Sequence, residues 1–137
     1  MKYTILVLLL FISSFALASE NNVESNYTDN YIKQMTPVLI NTFKKITPEK
    51  SSTEIEGDAK KMAVKMAKCQ FESVDHYPEN YWKQAIIPIS QGENIGSSNS
   101  MFDDLLTKDL ESGNITEEQF INMVQKAQMK VMQCIQS

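Results

Sequence analysis

At 137 residues the chain is the right length for a single domain with one core. Its thirteen basic and seventeen acidic side chains leave a net charge of −4, and every basic residue is lysine. Without arginine, the bidentate chemistry that reads phosphates and bases is missing, and a nucleic-acid partner is not expected.

Residues 1–18, MKYTILVLLLFISSFALA, read as a cleavable secretory signal peptide. Lys2 supplies the charged start, Ile5 to Ile12 form an unbroken apolar run, and Ala16 and Ala18 suit a signal-peptidase pocket. That run falls well short of the roughly twenty residues needed to span hydrocarbon, so no stable membrane span is expected after cleavage. Loss of Lys2 leaves twelve lysines against seventeen acids, a net charge near −5. The expected destination is the periplasm or the extracellular space.

Export decides how the two cysteines are read. Outside a reducing cytosol, Cys69 and Cys134 most economically form one disulfide, which removes them from metal and nucleophile roles.

Residues 19–26, SENNVESN, are short of core-forming side chains and predict a flexible N-terminus ahead of a domain at 27–137. Helical periodicity then begins with Tyr31, Ile32, Met35, Val38, Leu39, Phe43 and Ile46. Pro37 within this stripe predicts either a kink or a new helix capped by Thr36. Thr47-Pro48 ends the segment.

Thr53 and Glu56 have capping-box spacing and open a second helix, with Ile55, Ala59, Met62, Ala63, Met66 and Cys69 on its buried face. Lys61, Lys65 and Lys68 share another face. That row could touch anionic lipid, glycan or an acidic partner, although such rows are more often plain solvated surface. Pro78 opens a third helix carrying Tyr81, Trp82, Ala85, Ile86 and Ile89, closed by Pro88 and Gly92. Residues 91–100, QGENIGSSNS, read as an exposed loop.

Ser100 is placed to cap a fourth helix bearing Met101, Phe102, Leu105, Leu106 and Leu110, which stops at Ser112-Gly113. The last helix is the best specified. Thr116 and Gln119 make a capping box, Ile115 and Phe120 a hydrophobic staple, and Phe120, Met123, Val124, Ala127, Val131, Cys134 and Ile135 the apolar stripe. The fold expected is therefore all-α, four or five helices around one core, with Cys69–Cys134 joining the second helix to the last.

Few chemistries remain open. His76 is the only imidazole, and no serine is marked by a nucleophile motif. The sequence around Gly113 imitates half of a calcium loop, but with Gly113 in the sixth place the first, third and twelfth become Lys108, Leu110 and Gln119, which spoils the ligand set. Met62, Met66 and Met123 fall on core stripes, which favours packing over a soft-metal site, and Met129 projects away from its stripe. No metal, cofactor or catalytic set is expected.

Residues 75–82, DHYPENYW, gather the only His, the only Trp and two Tyr at a helix entrance, which makes His76, Tyr77, Tyr81 and Trp82 the candidate binding residues. A core role for Tyr81 and Trp82 is the competing account. The leading functional expectation is a non-enzymatic binding or interaction protein whose partner is another envelope or extracellular protein or a small apolar ligand. Alternatives are an envelope-stress or acid-stress chaperone and a small hydrolase using carboxylates such as Asp103-Asp104 or Glu117-Glu118, with His76 as acid or base.

Overall fold

The structure, a computed structural model, describes residues 20–137, so the expected signal peptide at 1–18 lies outside the described residues. These residues form five α-helices and one short 3-10 turn, with no strand among them. In order they are α1 (Glu20–Ile46), α2 (Ser52–Ser73), the 3-10 turn Val74–His76, α3 (Glu79–Ser90), α4 (Ile95–Glu111) and α5 (Glu117–Gln136). The all-α expectation holds, with five helices.

Helix α1 begins at Glu20, so residues 20–26 are helical rather than a flexible lead-in. Val23 and Tyr27 stand eight and four residues before Tyr31 and extend its stripe by two turns, and all three pack in the same core. Pro37 neither ends α1 nor starts a new helix. It lies on an exposed face, as does Lys33 one turn back, whose carbonyl would otherwise have accepted from the amide that proline lacks. Thr36 is no cap, since its hydroxyl donates to the Ile32 carbonyl one turn back at 2.7 Å.

Past Met35, α1 lies against α2 in an antiparallel hairpin. Ile55, Ala59, Ala63 and Ala67 are buried along α2, and this small-residue seam lets the two helices approach closely. One partner covers only one face, so Val38 and Ile46, expected on the core stripe, remain exposed at 52% and 65%.

The capping box of α2 is Ser51 with Glu54 and not Thr53 with Glu56. Ser51 Oγ accepts from the Glu54 amide while the Glu54 carboxylate accepts from the Ser51 amide at 2.9 Å. Starting there makes the Ile55 amide the first to bond back, at 3.0 Å to the Ser51 carbonyl, and sets Ile55 on the buried seam.

Pro78 precedes α3 as its N-cap, and Pro88 sits in the last turn of that helix rather than beyond it. Closure depends on Gly92, whose φ of 94° lets its amide reach the Ile89 carbonyl and the Glu93 amide reach that of Pro88. Gly113, with φ 75°, ends α4 the same way through Leu110 and Asp109.

The loop expected at 91–100 is shorter than that. Asn94, not Ser100, caps α4 by accepting from the Ser97 amide at 3.1 Å, and Ile95 anchors the new helix on the first core. Side chains of α1 fasten this junction. Asn30 donates to the Ile89 and Ser90 carbonyls, while Gln34 donates to the Glu93 carbonyl and accepts from the Ile95 amide at 2.9 Å each. Orphan groups at the end of α3 and the start of α4 are thus satisfied from a third helix.

Helix α5 begins as expected, with Thr116 and Gln119 exchanging both capping bonds. Ile115 and Phe120 both pack in the second core. Cys69 and Cys134 form the expected disulfide, which joins α2 to α5 with Cα atoms 5.5 Å apart.

Two apolar clusters result instead of one. The first holds Tyr27, Tyr31, Ala67, Ile86 and Ile89 where α1, α2 and α3 meet. The second holds Tyr81, Leu106 and Met123 among α3, α4 and α5. Helix α5 packs chiefly on α2 and touches α4 only sparingly.

Candidate functional site

Between the two clusters lies a half-open hollow of about 340 Å³, walled by residues of all five helices and the 3-10 turn. Its position follows from residue size. Ala85 of α3, Ala127 of α5 and Ser73 of α2 are small side chains on facing surfaces, where larger ones would fill the gap. Ile86, Ile89, Val74 and Val131 supply aliphatic wall. Tyr27, Tyr77 and Phe102 supply aromatic wall, and Gln70, Asn99 and Gln128 are its amide-bearing members.

The aromatic wall is fixed before any ligand arrives. Tyr27 packs against Tyr31 and Phe71 with ring centres 5.7 and 5.6 Å away, and Tyr77 meets Phe102 edge-on at 5.1 Å. Burial, with Tyr31 beside it, pushes the Tyr27 phenol well above its ordinary range. Burial and the nearby Asp103 also raise that of Tyr77. Both rings therefore stay neutral at physiological pH, and the hollow presents apolar surface with neutral polar groups.

The four residues expected as a binding cluster are distributed differently. His76 is exposed on the 3-10 turn. Tyr77 lines the hollow. Tyr81, only 4% exposed, lies in the second core, and Trp82, half-buried, packs on the first. Neighbours on a helix point about 100° apart, so α3 sends Tyr81 and Trp82 to different cores. One of the four reaches the hollow.

The Tyr81 hydroxyl donates to Asp109 at 2.5 Å, and that carboxylate also accepts from Asn114 at 3.0 Å. Burial and this bond push the Tyr81 phenol up to about 12, and the same bonds hold the Asp109 carboxyl below its usual value. This is a structural clamp between α3 and the end of α4.

Asp103, Asp104, Glu117 and Glu118, the expected hydrolase candidates, are all exposed on helix surfaces. No group of three or more His, Cys, Asp or Glu able to hold a metal occurs among the described residues. No helix among them is long and apolar enough to cross a membrane.

Tyr27, Gln70, Asn99 and Gln128 were not signalled by the sequence reading. Tyr27 carried a usable sign, four residues before Tyr31 on the same stripe. The three amides carried none, because their meeting depends on how separate helices register against one another.

Fold and site together define a disulfide-pinned five-helix bundle with an apolar hollow between two cores. No known family matches the chain, and no curated protein or solved structure is similar to it.

Proposed function

We propose that the chain is an exported, non-enzymatic binding protein, released by cleavage after Ala18, that holds a small apolar molecule in the hollow between its two cores. The observation that carries this reading is the hollow itself. Its volume of about 340 Å³ falls at the small end of the ~300–1,000 Å³ range of small-molecule sites, and its wall is apolar with a few neutral polar groups. Such a wall favours a neutral ligand, because none of its lining side chains carries a charge. The disulfide supports export and also fixes α5, which forms one side of the hollow.

Titration with the neutral dye N-phenyl-1-naphthylamine tests the reading. Saturable fluorescence enhancement with one dye per chain is expected for the parent, and Ala127→Phe, which fills the hollow, abolishes it without lowering the melting temperature by more than a few degrees. Equal dye binding by a folded Ala127→Phe variant contradicts the site.

A further inference from the structure

The end of the α1–α2 hairpin carries a second surface, remote from the hollow. Phe43, Ile46 and Met62 form the apolar floor of a groove of about 370 Å³, and Lys50, Asp58, Lys61 and Lys65 form its rim. Ile46 is 65% exposed at the last residue of α1, with Lys44 and Lys45 immediately before it. Lys50 is paired with Asp58 at 2.7 Å, which steadies the turn and leaves Lys61 and Lys65 as the rim's unpaired cations.

We infer that this hairpin end docks on an anionic lipid bilayer surface, with Ile46 and Phe43 entering the interface and the lysine rim meeting the headgroups. Charge complementarity selects this occupant. Residues 43–65, which form the hairpin end, hold six lysines and the four acids Glu49, Glu54, Glu56 and Asp58, whereas residues 71–137 hold four lysines and ten acids. This asymmetry in net charge turns the hairpin end toward a negative surface and the acidic remainder away from it. The combination of exposed apolar side chains and lysines on long flexible stems suits an interface with an apolar layer beneath a diffuse charged one. An acidic protein surface would satisfy the lysines but leave Ile46 without an apolar layer to enter. Docking by this end leaves the hollow free.

Sedimentation of the processed, oxidised protein with lipid vesicles tests the inference. Binding to phosphatidylcholine vesicles containing phosphatidylglycerol is expected, with none to pure phosphatidylcholine and steady loss as salt rises. Each lysine near such a surface is worth about five-fold in affinity, so Lys61→Gln with Lys65→Gln lowers binding about 25-fold. Ile46→Asp lowers it further, and its unchanged melting temperature shows that it folds. Lys126→Gln with Lys130→Gln, the same change of net charge on α5, leaves binding as in the parent. Ala127→Phe also binds vesicles as the parent does, which separates this surface from the hollow.

Absence of binding to phosphatidylglycerol vesicles overturns the inference, as does equal binding to pure phosphatidylcholine. Equal loss from the α5 pair overturns it too. Binding to polyglutamate without binding to vesicles also overturns it and identifies an acidic polypeptide as the occupant.

Discussion

The Tyr81 hydroxyl donates to the Asp109 carboxylate at 2.5 Å, and through it α3 grips the end of α4 at the point where Gly113 turns the chain toward α5. The Asn114 and Ile115 amides both bond the Asp109 carbonyl, so one residue organises the whole α4–α5 junction. Tyr81→Phe keeps the packing and loses the bond. Its melting midpoint is expected to fall by roughly 5 °C at neutral pH, measured by circular dichroism.

The same pair gives a pH signature of definite sign. Asp109 has a folded value below its unfolded one, so its contribution is present above the usual carboxylate range and is lost as pH falls through the folded value. Tyr81 is raised from 10.0 to about 12, so its contribution is complete below pH 10 and is lost as pH rises toward 12. Denaturant midpoints from acid to alkaline pH are expected to fall at both ends, and Tyr81→Phe to flatten the alkaline limb. An unchanged alkaline limb in that variant contradicts the assignment.

The disulfide closes a loop with a sequence separation of 65, for which chain entropy gives about 4 kcal/mol. Cys134→Ser is expected to lose about that much in chemical unfolding. Because α5 walls the hollow, dye affinity in this variant falls at denaturant concentrations where the parent still binds fully.

Cap assignments are separable by single changes. Ser51→Ala removes an observed side-chain bond and is expected to cost about 1 kcal/mol, as is Thr116→Ala, while Thr53→Ala is near neutral. Chemical denaturation of the three variants distinguishes the Ser51 start of α2 from a start at Thr53.

Ser98, 1% exposed in the first turn of α4, buries a hydroxyl with no hydrogen-bond partner among the described residues. Replacing it by alanine removes the unmet group at little cost in packing. Ser98→Ala is expected to raise stability by about 1 kcal/mol in denaturant titration, and a loss of that size contradicts the placement.

What the sequence makes legible here is local. The Thr116 and Gln119 box, the Ile115 and Phe120 pair and the stop at Gly113 are encoded within a few residues, and the structure matches them. The disulfide was also readable, since two cysteines admit one internal pairing. Where two local signals competed, spacing could not choose. Ser51 and Thr53 both have an acid three residues on, and Asn94 and Ser100 are both acceptable caps. The choice fell to Ile55 and Ile95, whose burial depends on partners far along the chain.

The hollow was not legible for the same reason. Ala85, Ala127 and Ser73 read as ordinary small helix residues until three helices bring them face to face. The aromatic run misled because its members are close in sequence yet diverge in direction, with Tyr81 and Trp82 serving different cores.

The most direct test of a ligand-holding hollow is methyl-resolved NMR of the oxidised protein, prepared as residues 19–137, with bound N-phenyl-1-naphthylamine. The account predicts intermolecular contacts from the dye to the methyl groups of Ala85 on α3 and of Ala127 and Val131 on α5, from both walls of one cavity. Contacts confined to exposed side chains such as Ile46, Val38 or Met129 would contradict it.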